Sequence, residues 1–292
     1  MKKKKPGDLI LDLVIYIILI ALVIVTFYPM WHVVVASFST SADIAKNQGI
    51  MLWPENFALG AYTMVFKHPL LVNGFLNTIK VLGLSLPISI FLTMLCGYFM
   101  ACPNMYWKKP IVGMIMFTMF FSGGLIPGFL NIKDLGLYNT IWALVLPGVL
   151  SVYNAIICKT AIEAIPDSLR ESAYIDGAND FQIIWKIILP LLKPTLAVLT
   201  LYYGVARWND WFQASVYIKD NDKLPIQNII RAVLLANDVS LNASASVGDT
   251  FNDYAETIKY SAIVISTVPI LCIYPFLQKY FTKGVMIGAV KG

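Results

Sequence analysis

Toward the end of one apolar run, Arg207, Trp208, Asn209 and Asp210 set a guanidinium, an indole, an amide and a carboxylate side by side, with Tyr202 and Tyr203 one turn earlier and Trp211 just after. The chemistry they offer is stacking and hydrogen bonding. A sugar presents apolar C–H faces that rings can cover and hydroxyls that need polar partners, so this mixture suits a carbohydrate path. Tyr153 and Asn154, in an earlier apolar run, are similar candidates. Two plainer readings compete. Aromatic residues at the end of a membrane span form interfacial belts, and Arg207 and Asp210, three apart on a helix, can pair with each other.

A second constellation occupies the polar stretch Ile165 to Pro190. Pro166 suits a first helical position, Asp167 a helix N-terminus and Gly177 a helix end. Asn179 or Asp180 can cap a second helix, which would carry Phe181, Ile184, Trp185 and Ile188 on one face, the pattern of an amphipathic element at a membrane surface. Ser168 and Glu171 also fit a capping box, in which Glu171 would reach back to a backbone N–H. The stretch thus reads as a short helix, a tight break and a helix returning to the bilayer.

The elements that must position these residues are apolar. Hydrophobic residues make up 58% of the 292 residues and charged ones 13%, more apolar surface than one soluble core needs. The expected class is an all-α membrane protein with six transmembrane helices, at about Leu9–Ala36, Thr78–Ala101, Ile111–Leu130, Ile141–Ala161, Thr195–Ala214 and Thr257–Leu277, because lipid leaves backbone groups no partner outside a helix. The first run is too long for a signal-peptide core and lacks a clear cleavage site, so it reads as a retained span.

Alternating these spans puts thirteen of the 22 basic residues on the side of the N-terminus, Lys2 to Lys5 among them, against seven acidic ones. That bias places both termini, and the loop 162–190, in the cytoplasm. The expected plan is a cytoplasmic N-terminus at 1–8, a six-span transmembrane domain at 9–277 with outer loops at 37–77 and 215–256, and a cytoplasmic tail at 278–292. The second outer loop is rich in Asn, Asp and Ser from Asn237 to Asp253 and reads as a protruding or partner-binding segment. Prolines and glycines interrupt the spans, among them Pro29, Pro87, Gly123-Gly124, Pro147-Gly148, Gly204, Pro269 and Pro275. Transporters use such breaks, although membrane helices in general carry more Pro and Gly.

Several chemistries have no residues to carry them. There is no phosphate-binding GxxxxGK[ST], no GxGxxG, HExxH or GxSxG, so no catalytic residue is assigned, and ATP, if it drives the protein, must bind another chain. Cys96, Cys102, Cys158 and Cys272 show no CxxC spacing, and His32 and His68 are far apart, so no metal site is assigned and the thiols read as reduced packing residues. The net charge of +5 is scattered among apolar runs, which argues against nucleic acid as a partner.

The polar stretch resembles the EAA loop of permease subunits of bacterial ABC importers, whose pattern is E-A-A, three residues, G, nine residues, I-x-L-P. Here the pattern is Glu171-Ser172-Ala173, Gly177 and Ile187-Ile188-Leu189-Pro190, with Ser172 the one departure. The likeness covers essentially the whole chain. Leu52–Tyr62 (LWPENFALGAY), Ile126-Pro127, Leu135–Thr140 (LGLYNT), Ile175–Ala178 (IDGA), Trp208–Phe212 (WNDWF) and Gly284–Gly292 (GVMIGAVKG) look like the sugar-importing branch. Within it the chain is similar to the shorter permease of the maltose-transporter-like group, near the subgroup for complex or acidic oligosaccharides.

That resemblance implies a bacterial cell-membrane complex of two permeases, two cytoplasmic ATPase subunits holding ATP and magnesium, and an external solute-binding protein delivering an oligosaccharide. No cofactor would bind this chain. The EAA helix would sit in a groove of the ATPase, with Leu169, Glu171, Ser172, Ala173, Asp176 and Gly177 as the coupling residues: small ones permitting close approach, Leu169 apolar contact, Glu171 a charge for a basic partner. The alternative is a secondary transporter of small polar solutes driven by an ion gradient. It would want carboxylates within the spans, and only Asp12 and Asp210, near span ends, are present. A membrane-embedded enzyme would need a convergent Asp, His or Ser constellation that two distant histidines do not supply.

Overall fold

A computed structural model describes residues 6–47, 50–102, 106–235 and 255–289, and among them every regular element is helical. Lys2 to Lys5, the segment Asn237–Asp253 and the last residues of the tail lie outside the described residues. The chain divides into two compact units, Met1–Val72 with Ile230–Val268, and Asn73–Ile229 with Pro269–Gly292.

The first unit begins with α1 (Pro6–Ser37), whose apolar side chains from Ile10 to Met30 are largely exposed within the chain. Such a surface needs lipid or a partner around it. The loop that follows is held by a buried carboxylate. Thr40 caps the short α2 (Ser41–Lys46), and Asp43 accepts bonds from the Asn56 backbone N–H at 3.2 Å and its amide at 3.0 Å. Trp31 Nε1 reaches the Leu52 carbonyl at 2.9 Å. After α3 (Gly60–Lys67) the chain leaves the unit. It returns in the first half of the last helix, where Ser261 donates to the Ser37 carbonyl at 3.3 Å and Ser41 meets Thr257 at 3.1 Å.

The second unit is entered along α4 (Pro69–Ala101), which begins nine residues before the expected span. The expected third span is two helices, α5 (Lys108–Phe120) and α6 (Leu125–Asp134), bent by 113° across the Ser122-Gly123-Gly124 break. The expected fourth is also broken. A single turn, α7 (Trp142–Val145), ends before Pro147, and α8 starts only at Val152 and runs to Glu163. Proline cannot continue the hydrogen-bond ladder, and Gly148 takes φ +68°, a left-handed conformation that a side chain disfavours.

Further on come α9 (Asp167–Ile175), α10 (Asp180–Ile183), a five-residue π-helical turn (Ile184–Ile188), α11 (Leu189–Leu191) and α12 (Lys193–Trp208). Then follow α13 (Phe212–Tyr217), α14 (Ile226–Leu235) and α15 (Ala255–Ala289). Among the described residues, three helices are long and apolar enough to cross a membrane, and the two bent pairs would bring the number to five. The expected span not among them is the fourth, interrupted between Val145 and Val152.

Local chemistry fixes the polar stretch. Asp167, not Pro166, is the first residue of α9, with Pro166 extended before it, and no side chain caps that end, so the Ser168–Glu171 capping box does not form. The other end closes as the glycine signal predicts. Gly177, at φ +81°, donates to the Tyr174 carbonyl at 3.0 Å and Ala178 to that of Ala173 at 2.9 Å, the paired bonds of a Schellman motif. Asn179 then caps α10 through a full capping box with Gln182.

The amphipathic face departs from expectation. Ile184 and Ile188 are buried with Ile183, whereas Phe181 and Trp185 are exposed and pack on each other at 5.9 Å. A π turn over Ile184–Ile188 inserts one extra residue per turn here, and the isoleucines take the core side of the segment while the two aromatics take the outer side. These isoleucines join Met94, Tyr98, Cys158, Ile162, Ala173 and Leu199 in one core.

Asn179→Ala removes the side-chain acceptor of the Gln182 N–H, leaving only the backbone half of the capping box, and is expected to cost about 1 kcal/mol. The measurement is the unfolding midpoint of the purified transporter in detergent; Asn179→Asp should retain most of it.

Candidate functional site

The break in the expected fourth span leaves backbone groups without helical partners, and α12 supplies them. Arg207 donates through one terminal nitrogen to the carbonyls of Val145, at 3.3 Å, and Pro147, and through the other to Gln213 Oε1 at 3.3 Å. Asp210 stands 3.9 Å from the guanidinium and accepts from the Gln213 N–H at 3.2 Å. One turn earlier, the buried Tyr203 hydroxyl accepts from the Ser151 N–H at 2.9 Å and meets Thr93 of α4 at 2.6 Å. Ser151 in turn caps α8. Two side chains of α12 therefore hold both sides of the break: Arg207 its orphaned carbonyls, Tyr203 its orphaned N–H.

Beside this brace lies a cavity of about 760 Å³, lined by Tyr153, Asn154, Tyr202, Tyr203, Arg207 and Asp210 among others. The geometry sorts the residues singled out in the sequence. Tyr203 and Arg207 line the cavity with their polar groups already engaged, and the Arg207 side chain is only 8% exposed. Tyr153 and Tyr202 are exposed beside the cavity, and the buried Asn154 faces it. Trp208 is outside it, 4% exposed, edge-on to Phe75 at 5.9 Å and lining a small apolar cavity with Leu82, Leu86 and Gly204. Asn209 follows α12 as its C-cap, exposed and away from the cavity. Gln213, Ser151 and Gly148 also line the cavity and were not singled out. The signal for Ser151 was a cap residue four positions after Pro147, where a broken helix must restart.

The residues expected from the sequence to couple to an ATPase occupy the other polar site. Leu169, Glu171, Ser172, Asp176 and Gly177 are exposed on α9 and its end. Glu171 makes no hydrogen bond or ion pair with the described residues, and an added side-chain carbon at Gly177 would meet no atom within 4 Å. Ala173 is 7% exposed and faces the chain's own core, where its small size lets α9 lie against Cys158 and Ile183. A cavity of about 210 Å³ opens next to α9, lined by Pro166, Leu169, Ile162 and Ile187. Close by, Asp180 Oδ1 accepts from the Tyr98 hydroxyl at 2.7 Å and from the Tyr174 hydroxyl. Those bonds, Tyr174's foremost, hold the Asp180 carboxyl below the usual carboxylate range.

The four cysteines are free thiols, and the described residues hold no cluster of three or more metal ligands.

Residues 56–287 match the family of binding-protein-dependent transport system inner membrane components, and the chain belongs to that family. It is similar to the polygalacturonan/rhamnogalacturonan transport system permease protein YtcP of Bacillus subtilis (strain 168), 37% identical over 96% of this chain and 98% of that one. It is also 38% identical to protein LplC of the same organism, over 92% of this chain and 90% of that one. Among solved structures, a chain of a bacterial ABC transporter involved in the import of the acidic polysaccharide alginate superposes with a TM-score of 0.89 at 30% identity, covering 96% of this chain and all of that one. The protein is a permease subunit of an ABC importer, a transport component whose ATPase activity belongs to separate subunits.

Tyr203→Phe leaves the Ser151 N–H buried without its acceptor and is expected to cost about 1–3 kcal/mol. The same order of loss is expected for Arg207→Met, which strands two carbonyls. Both are read from the unfolding midpoint in detergent, with Tyr202→Phe as a control that should change little.

Proposed function

We propose that this permease imports an oligosaccharide through the cavity beside α12. The observation that carries the reading is the chemistry left free there. Arg207, the one basic residue lining the cavity, is engaged by carbonyls and Asp210, so what remains is hydroxyl, amide and aromatic ring: Tyr153, Tyr202 and Asn154. That set fits sugar hydroxyls and C–H faces, and the volume lies within the roughly 300–1,000 Å³ of ligand pockets. Relatives named for pectic polysaccharides and for alginate support the class.

The rest of the reading follows from the family and the charge bias. Six spans cross the cell membrane with both termini cytoplasmic: 1–8 and 278–292 inside, 37–77 and 215–256 outside, and the broken segment between α7 and α8 counted as part of the fourth span. A second permease completes the path, an external binding protein delivers the sugar, and two ATPase subunits carry ATP and magnesium, so that no cofactor binds this chain. The loop 162–190 is the coupling loop. Leu169, Glu171, Ser172, Asp176 and Gly177 meet the ATPase, and Ala173 holds the helix to the membrane core. Closure of the ATPase pair displaces α9 and shifts the permease between two states, each needing its own contacts.

Tyr153→Ala combined with Asn154→Ala is expected to lower uptake of labelled uronic-acid oligosaccharides at least about tenfold in proteoliposomes, with ATPase subunits still co-purifying. Unchanged uptake would remove the cavity from the path. Glu171→Arg is expected to reduce ATPase co-purification severalfold; full retention with normal ATP hydrolysis would remove α9 from the interface.

A further inference from the structure

Asp180 stands at the first turn of α10, yet its carboxylate does not serve as the cap, because Asn179 does that work. Its oxygen Oδ1 instead gathers two tyrosine hydroxyls from different elements: Tyr98, three residues before the end of α4 at Ala101, and Tyr174 of α9. One oxygen therefore joins the last turn of α4, the coupling helix and the start of the helix that follows it. Tyr98 is 4% exposed and lies in the core that holds Ala173, Ile183 and Cys158, so its hydroxyl has nowhere to go without unpacking that core. A hydrogen bond to a charged acceptor is about twice as strong as a neutral one, which suits a joint that must transmit movement.

The other end of the same helix segment leads to the cavity. Thr93, five residues before Tyr98 on α4, bonds the Tyr203 hydroxyl at 2.6 Å, and that hydroxyl holds the Ser151 N–H where α8 begins. A short run of continuous helix thus has a hydroxyl contact at each end, one to the coupling helix and one to the cavity brace. Energetic coupling is carried by packed side chains and hydrogen-bonded networks on rigid elements, and both kinds are present along this path.

We propose that Asp180, through Tyr98 and Tyr174, is a positioning residue that clamps the coupling helix to α4, so that displacement of α9 reaches the cavity through α4, Thr93 and Tyr203. This rests on the reading of α9 as the coupling helix. Without the clamp, α9 keeps its chain links to α8 and α10 and the packing of Ala173, but loses the hydrogen-bonded link that runs through Asp180 to α4.

The test uses the assembled transporter in proteoliposomes, its native cysteines replaced by serine and Tyr153→Cys added as a reporter beside the cavity. The rate of labelling by a membrane-impermeant maleimide is compared without nucleotide and after trapping with ATP and vanadate, which needs no transported sugar. With Asp180 in place, trapping is expected to change the rate at least about fivefold. Asp180→Ala and the double variant Tyr98→Phe with Tyr174→Phe should trap vanadate equally well yet change the rate less than about twofold. Asp180→Asn, which keeps an acceptor oxygen for both tyrosines, should restore most of the response. Combining Asp180→Ala with the two tyrosine changes should cost nothing further, because all three remove one joint. A merely structural role would lower yield and trapping together and leave the response per trapped complex intact, which would overturn the proposal, as would a full response in Asp180→Ala. Glu171→Arg separates the two levels. If it leaves association and response unchanged, the coupling reading itself is wrong; if it disrupts them while Asp180→Ala responds fully, only the clamp is.

Discussion

The second unit depends on how a helix is broken without stranding its backbone. Between Val145 and Val152 the carbonyls of Val145 and Pro147 and the N–H of Ser151, all part-buried, lose their helical partners. A buried backbone group left unpaired costs on the order of 1–3 kcal/mol, so three of them together would rival the net stability of many small domains. One guanidinium and one phenol, a turn apart on α12, remove that cost. The break, the cavity beside it and the placing of α8 against α12 are consequences of the same few bonds.

A similar economy of placement governs the polar stretch. The Schellman bonds at Gly177 and the Asn179 cap turn the chain sharply between α9 and α10. That turn lets Ala173 from one helix and Ile183, Ile184 and Ile188 from the next meet the same core. The core has room for α9 because the residue facing it carries a single methyl group; a larger side chain would have to be accommodated by neighbours already at close packing. Of the exposed residues, Glu171 and Ser172 are turned away from the face of Ala173 by helix period, whereas Leu169 and Asp176, one turn from Ala173 on its own face, are exposed near the two ends of α9.

How legible each feature was in the sequence follows from the range of the interaction behind it. The helix end at Gly177 and the cap at Asn179 are local, and residue type and spacing were enough. The long apolar helices were legible from composition, and the break at Pro147-Gly148 was visible as an interruption, although not as the loss of six residues, 146–151, from a helix. Length and hydropathy pass over such a break because the segment stays apolar throughout. The π turn left no trace: Phe181, Ile184, Trp185 and Ile188 keep α-helical spacing in the sequence, and only packing chose the isoleucines over the aromatics. Tyr98 and Thr93 were equally hidden, single polar groups in an apolar run whose partners lie 82 and 110 residues away. Their one signal was general: a buried hydroxyl in a membrane helix must find a partner.

Arg207 shows why an intramembrane charge cannot be assigned from its presence alone. The default reading of such a residue is function, and its neighbours Tyr203 and Asp210 encouraged a role in contacting substrate. Its donors instead go to two carbonyls and Gln213, with Asp210 close enough to balance the charge. An anionic sugar drawing Arg207 away would have to compensate the carbonyls it released, so a carboxylate gains little from this guanidinium. On the proposed reading, substrate recognition beside α12 then falls to Tyr153, Tyr202 and Asn154, whose chemistry discriminates by hydroxyl geometry and ring stacking rather than by charge.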